Sequence, residues 1–149
     1  MAEQEAAGVQ PVTGKVDQLG AIKTLVTGAK LHLFKSSFTP TPDSTEADFV
    51  AAECAFTGYV AVVITWSAVG LGVDDVARMV GSRSFFQATD AVSPDTVGGF
   101  WIESSAGPPG IVEWYAILAT PVPIDVALRF IAVTPTVGSD GSVVADVES

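Results

Sequence analysis

The spacing of apolar residues changes from helical to strand-like near residue 29 of this chain. Before that point, apolar positions recur every three to four residues, which predicts a short helix. The recurring residues are Val16, Leu19, Ile22, Leu25 and Val26. Thr13 is the candidate N-cap of this helix, and Gly28 supplies a stop signal. Residues 1–14 are expected to form an extended arm.

From residue 30 onward, short stretches rich in β-branched and aromatic residues alternate with turn residues, which predicts a series of strands. The clearest is Tyr59–Trp66, whose even-numbered and odd-numbered positions are both apolar. We therefore expect both faces of this strand to be covered. Further strands are predicted at 30–35, 84–89, 99–104, 111–119 and 126–134.

Proline and glycine mark the connections between these strands. Residues 39–43 are predicted to be a loop, residues 44–49 to begin a brief helical turn, and residues 104–110 to join two strands of a hairpin. Pro121 and Pro123 are expected to form a corner. Residues 70–81 are ambiguous, because Asp74 and the residues after it fit either one helical turn or a loop.

Six or so short strands without interleaved helices predict an all-β fold, an antiparallel β-sandwich of jelly-roll or Ig-like type. The predicted organisation has three parts: residues 1–28 as an N-terminal arm and short helix, residues 29–137 as the sandwich domain, and residues 138–149 as a loose C-terminal tail. A chain of 149 residues is long enough for one domain with a substantial core.

Composition narrows the classes of function. The chain is 48% hydrophobic and 16% charged, which favours a folded domain over disorder. Its formal net charge is −10, with 7 basic residues, which argues against nucleic-acid binding and against an anionic membrane surface. The sequence shows no apolar run of membrane-spanning length and no signal peptide. The single cysteine suits synthesis in a reducing cytoplasm.

The sequence also lacks the residue sets of common catalytic and metal sites, so we expect no enzyme activity, no cofactor and no metal. One histidine, His32, and one cysteine, Cys54, cannot form a zinc site with paired ligands. His32 lies between two leucines on a strand and is expected to be a surface or interface residue. Cys54 follows an acidic residue that opposes thiolate formation, and we expect it to be a small buried residue.

Carboxylates are the remaining polar candidates. Glu103 and Glu113 flank the predicted hairpin and are expected to be offset on a solvated face; the alternatives are a cation site or acid–base catalysis. Asp74, Asp75 and Asp140 invite a calcium hypothesis, but no EF-hand pattern surrounds them, so solvated loops are favoured.

Aromatic residues on the hairpin give the candidate interaction surface: Trp101, Trp114 and Tyr115. If Phe100 and Ile102 face the core, Trp101 faces out, where it would bind carbohydrate or pack against another subunit. Burial of Trp101 under the second sheet is the alternative and the commoner outcome for such a residue.

From residue 29 onward, the order of motifs resembles a group of small phage-associated proteins. The matching segments are Leu31–Phe34, Thr39–Pro40, Glu46–Phe49, Phe56–Tyr59 leading to Trp66, Ser84–Phe86, Gly99–Ile102 and Ile131–Pro135. The sequence departs from the pattern at 70–82 and 107–110. The resemblance implies a β-sandwich virion component, either a capsid decoration (cement) protein or a tail accessory protein, and it brings no catalytic residues.

The resulting expectation is a structural component of a phage virion, made in the host cytoplasm. It would bind the major capsid or tail protein and its own copies, with a trimer as one closed arrangement. The alternative is a carbohydrate- or receptor-binding module of a phage tail. A third hypothesis, an enzyme that uses carboxylates such as Glu113, ranks last.

Overall fold

Two antiparallel β-sheets and two short helices form the chain in a computed structural model. It describes residues 12–71, 74, 76–91, 93–104 and 110–149, and in the first helix the side chains from residue 18 onward. The elements are α1 (Val12–Leu25), β1 (Lys30–Lys35), α2 (Glu46–Ala51), β2 (Val62–Val63), β3 (Gly70–Leu71), β4 (Ala77–Val80), β5 (Ser84–Gln87), β6 (Asp95–Ser104), β7 (Ile111–Ile124), β8 (Phe130–Gly138) and β9 (Val143–Glu148).

The first sheet has the strand order β2-β1-β6-β7. The second sheet is built around β8, which pairs with β9 along one edge and with β5 and then β4 along the other, while β3 extends β4. All of these pairs are antiparallel. The two sheets enclose one core, so the predicted all-β sandwich with a short N-terminal helix is confirmed.

Side chains from both sheets meet in this core because strand residues alternate between two faces. Leu31 and Leu33 of β1 and Phe100 and Ile102 of β6 point inward together, as the alternation predicts. From the second sheet, β8 contributes further buried apolar side chains to the same core. Leu19 of helix α1 and Val26, directly after the helix, close one side of the core, and both are fully buried.

The N-terminal helix is confirmed, although its start differs from the prediction. It begins at Val12, so Thr13 lies inside the helix and is not its N-cap. Gly28 adopts a positive φ of 81° just beyond the helix, in the backbone region that glycine enters without steric cost. Val16 and most of the predicted arm lie outside the residues whose side chains or backbone are described.

The strand predicted over Tyr59–Trp66 is mostly wrong. Only Val62–Val63 pairs as a strand, and Trp66 forms an isolated bridge with Gly81. Val60 is 71% exposed, so this stretch is not covered on both faces. Its apolar run reflects a loop-rich crossing between the sheets, where single residues such as Ile64 enter the core one at a time.

Two predictions about the second half of the chain are also wrong. Pro121 and Pro123 do not form a corner, because they lie within β7. The tail predicted from residue 138 is not loose: β9 pairs with β8 over six residue pairs, from Val143 opposite Val137 to Glu148 opposite Ala132. In the ambiguous stretch, Gly70–Leu71 and Ala77–Val80 form strands, with Asp74 between them.

Candidate functional site

The three aromatic residues of the predicted interaction surface occupy both faces of the first sheet. In the β6–β7 pairing, Trp101 lies opposite Tyr115 and Ile102 opposite Trp114. Trp114 therefore faces the core, where it contacts Trp66, and it is half-buried. Trp101 and Tyr115 share the outer face of the sheet. Trp101 is 0% exposed, so it does not belong to an exposed surface, and only Trp114 and Tyr115 remain partly accessible.

Trp101 is buried by a helical segment and not by the second sheet. It belongs to an aromatic cluster on the outer face of the first sheet, which consists of Phe34, Phe38, Phe49, Trp101 and Tyr115. Phe49 of α2 is central to the cluster, with its ring centroid 5.4 Å from that of Trp101 and 5.6 Å from that of Tyr115. Tilted and edge-on arrangements of this kind are the favourable ones for aromatic pairs.

Local sequence explains why a helix forms above the sheet. Thr45 is the N-cap of α2: its hydroxyl accepts a hydrogen bond from the Asp48 N–H, and the Asp48 carboxylate accepts one from the Thr45 N–H. This reciprocal capping stabilises a short helix that would be marginal alone. We call residues 36–53, which leave β1, form α2 and return to β1, the α2 flap.

His32 joins the α2 flap to the sheet beneath it. Its ring stacks on Trp101 with a centroid distance of 4.6 Å. Its Nδ1 lies 2.6 Å from Glu53 Oε2, and its Nε2 lies 3.1 Å from Glu103 Oε2. The prediction placed His32 on the outer face correctly, but it is not a surface residue, because only 13% of its side chain is exposed.

Glu53 has a second donor besides His32. The Tyr59 hydroxyl donates to Glu53 Oε2 at 2.6 Å and accepts from the Leu33 N–H at 3.0 Å. Burial would raise the pKa of Glu53, but the hydrogen bonds from His32 and Tyr59 outweigh it and the pKa is lowered. Burial and the bond to Glu53 also raise the pKa of Tyr59 far above its usual range, so the phenol stays protonated and remains a donor.

Glu103 is shifted in the opposite direction. Burial raises its pKa, and a hydrogen bond with Glu46 together with the negative charges of Glu46 and Glu53 adds to the rise, against the lowering effect of His32. Two carboxyl groups can share a hydrogen bond only when one of them carries the proton. Only 15% of the Glu103 side chain is exposed, so the expectation of a solvated Glu103 is wrong. Glu113 is offset from it as predicted, since Val112 lies opposite Glu103.

We call His32, Glu53 and Glu103 the histidine cluster. It does not have the geometry of a metal site or a nucleophilic triad. Glu53 and Glu103 contact opposite nitrogens of one ring, so the three groups do not converge on a common point. Across the described part of the chain, no group of three or more His, Cys, Asp or Glu residues is placed to hold a metal ion. Asp74, from the calcium hypothesis, pairs with Arg78, while Asp75 lies outside the described residues.

Cys54 follows Glu53 but points to the opposite side of the chain, into the main core. It is buried, as predicted, and burial raises its pKa to about 12. A thiol with so high a pKa is a poor nucleophile at neutral pH.

A second feature of the surface is a groove between β7 and β9, with a volume of about 740 Å³. It forms because β7 leaves the regular pairing: Val122 lies opposite Val97 and Ile117 opposite Gly99, so residues 118–121 pass opposite Gly98 alone. Residues 116–123 line one wall of the groove, and apolar residues of β9 line the other.

Both walls of the groove are edge strands, because within the described residues β7 pairs only with β6 and β9 only with β8. Pro121 and Pro123 lie at the free edge of β7, where a missing N–H costs no ladder hydrogen bond. The carbonyl of Pro123 points outward and accepts a hydrogen bond from Arg129. Residues 111–117 of β7 contain no proline at this edge, and Ile117 is 56% exposed.

A smaller pocket of about 400 Å³ lies beside the same strand and is lined in part by Glu113, Trp114 and Tyr115. Two of the three predicted interaction residues thus border one concave surface. Sequence reasoning missed the histidine cluster and the groove, because neither has a local signature: the residues of each come from strands far apart in the chain.

No protein-family model matches this chain, and no curated protein and no solved structure matches it. Of the described helices, none is long and apolar enough to cross a membrane.

Proposed function

We propose that this protein is a structural subunit of a phage virion, an accessory decoration (cement) protein that assembles with its own copies and with a major capsid or tail protein. The observation that carries the self-association part is the apolar groove between two edge strands. A free edge presents unpaired N–H and C=O groups, and the edge of a strand with few charged residues is a ready template for pairing with another chain.

Charge supports the same surface. The chain carries a net charge of −10, so two copies repel each other over most of their area. The 14 residues of β7 include one charged side chain, Glu113. The exposed apolar residues beside the groove, Ile117 on β7 and Val144 and Val147 on β9, are of the kind that assembly interfaces bury.

The virion part of the proposal rests on the motif order described above together with the fold, which is a β-sandwich. Purified phage particles analysed by sedimentation and mass spectrometry should contain the chain at a fixed ratio to the major capsid or tail protein. Absence of the chain from intact particles would contradict this part, whatever the purified protein does alone.

Ile117→Lys is expected to shift the purified protein toward monomer. Burying an ammonium group in an apolar contact costs more free energy than its attraction to a second acidic chain returns. We expect a loss of about 1–3 kcal/mol of association free energy, which is roughly a 10- to 100-fold larger dissociation constant. Analytical ultracentrifugation measures this change.

Val63→Lys is the matched control for this substitution. Val63 is 53% exposed and lies on β2, the strand at the other end of the same sheet. It should leave the association constant unchanged. Equal weakening by both substitutions, or a wild-type protein that is monomeric at all concentrations, would contradict the role of the groove.

A second candidate function is carbohydrate or receptor binding, favoured by the pocket beside Trp114 and Tyr115, which combines aromatic rings with the carboxylate of Glu113. Sugars stack on aromatic faces and hydrogen-bond to carboxylates. A glycan array should then show binding that Tyr115→Ala abolishes. Trp101→Ala is not a test of this function, because Trp101 lies inside the aromatic cluster.

A further inference from the structure

The α2 flap is fastened to the first sheet at two points by contacts that depend on protons. At the start of α2, Glu46 hydrogen-bonds Glu103 of β6. At the end of the flap, Glu53 contacts His32 of β1 at 2.6 Å. Between these two contacts, Phe49 inserts into the aromatic cluster. The cover over Trp101 is thus held by four titratable side chains on three separate segments.

The two fastenings require different protonation states. The Glu46–Glu103 contact needs one carboxyl to keep its proton, since two carboxylates repel each other. The Glu53–His32 contact is strongest when Glu53 is ionised and the ring donates from Nδ1, because charge-assisted hydrogen bonds are the strong ones. With Nε2 also facing a carboxylate, the ring needs either two N–H groups or a protonated Glu103 to satisfy both sides.

Other charged or titratable groups around the cluster come from every segment packed there. They are Lys30 on the same face of β1, Lys35 with Asp95 at 3.9 Å, Asp48 in the cap of α2, Tyr59 on Glu53, and Tyr115 of β7 with Glu113 in the pocket beside it. Among them, Tyr59 donates a hydrogen bond to Glu53 of the histidine cluster, and the Asp48 carboxylate accepts one from the Thr45 N–H.

We propose that the α2 flap is a proton-controlled cover over the aromatic cluster, closed when Glu53 is ionised while Glu103 shares a proton with its neighbours, and released when either condition fails. Opening uncovers Trp101 and Phe34 and converts a closed face of the sheet into an aromatic surface. This inference does not depend on the proposed assembly function, since the groove lies on another part of the molecule.

The direction of the pH dependence follows from the two carboxyls. The pKa of Glu53 is lowered in the folded protein, so its contribution is complete above the ordinary value of 4.5 and is lost as the pH falls through the folded value. The pKa of Glu103 is raised, so its contribution is present below 4.5 and is lost as the pH rises through the folded value. Closure is therefore tightest between the ordinary carboxyl pKa of 4.5 and the raised pKa of Glu103, and it loosens at lower and at higher pH.

Cys54 provides a readout of opening. Its N–H donates to the Leu33 carbonyl at 2.9 Å, and the Lys35 N–H donates to the Ala52 carbonyl at 2.9 Å, so residues 52–54 pair with β1 while the flap is closed. The buried thiol of Cys54 reacts with a thiol reagent only when this segment detaches. Each labelling rate is divided by the rate of the same variant unfolded in denaturant, which cancels differences in thiol ionisation.

The expected profile of this normalised rate has a minimum in mildly acidic solution and rises toward both lower and higher pH. Glu53→Gln should raise the rate roughly 10- to 100-fold at the minimum, because it removes a charged partner from His32 and Tyr59. Glu103→Gln resembles the protonated acid, so it should remove the rise on the alkaline side and leave the rate near pH 4 unchanged.

Ile131→Val, a core substitution in the second sheet, distinguishes flap opening from global unfolding. It should raise the labelling rate only by the factor that its loss of global stability predicts, whereas Glu53→Gln should exceed that factor. A normalised rate that is flat with pH, an alkaline rise that Glu103→Gln leaves intact, or labelling that follows global stability in every variant would overturn the proposal.

Discussion

Gly99→Ala is expected to prevent the protein from folding, or to destabilise it by about 3 kcal/mol or more, beyond the usual range for an overpacked core. A Cβ at Gly99 would lie much closer than van der Waals contact to two groups at once, the Ala116 carbonyl oxygen and the ring of Phe34. The carbonyl belongs to the paired strand β7, so it cannot move without breaking the ladder. The ring is fully buried in the aromatic cluster, so its displacement would disturb the residues packed around it.

The free energy of unfolding, from urea denaturation followed by circular dichroism, measures this effect. Gly20→Ala is the control, because a Cβ there meets nothing within 4 Å and the residue lies in α1. It should stabilise the protein by about 0.5–1 kcal/mol through helix propensity. Wild-type stability in Gly99→Ala would show that β6 and β7 do not approach as closely as the pairing requires.

A second substitution locates the cause of the Gly99→Ala effect. Phe34→Leu in the same chain removes the ring from the space that the new Cβ would enter, but leaves the Ala116 carbonyl in place. The double variant should therefore recover part of the lost stability and not all of it, which a double-mutant cycle would show as a favourable coupling between the two positions.

The fold was predictable where alternation of apolar residues coincides with a real strand face. Phe100 and Ile102 face the core and Trp101 faces away, as the period of two requires. A brief helical turn was predicted to begin within residues 44–49, where α2 forms, and Cys54 was predicted to be a small buried residue. In each case, the signal lies within a few residues of the feature.

The failures share one physical reason, which is that burial is decided by distant parts of the chain. Trp101 faces outward from its sandwich, but α2, some fifty residues earlier in sequence, covers it. Val60 belongs to an apolar run, yet it is 71% exposed. Likewise, the acidic tail pairs with β8 although its Asp146 and Glu148 are polar, because only alternate residues of an edge strand need to be apolar.

The candidate site was less predictable than the fold. His32 and Glu53 are 21 residues apart, and Glu103 lies on a different strand again, so no spacing rule joins them. The sequence showed only that a single histidine lacks the paired ligands of a zinc site. It gave no reason to expect that this histidine would be placed between two carboxylates whose pKa values shift in opposite directions.

Trp101→Ala is expected to destabilise the protein by about 3–5 kcal/mol, the usual cost of removing a fully buried large aromatic residue. The ring contacts Phe49 above it and stacks on His32, so its loss leaves a cavity beneath α2 and removes the platform on which the imidazole lies. If Trp101 were instead an exposed binding residue, the same change would alter stability by no more than about 0.5 kcal/mol.

Two further substitutions separate the effect of ring volume from other contributions to the loss of stability. Trp101→Phe keeps an aromatic ring in the cluster and should lose less than half as much stability, so it also yields a folded protein if Trp101→Ala does not. Tyr115→Phe keeps the ring that contacts Phe49 and should change stability by about 0.5 kcal/mol or less. Because the α2 flap depends on this cluster, Trp101→Ala should also accelerate Cys54 labelling at every pH, whereas Tyr115→Phe should leave its pH profile in place.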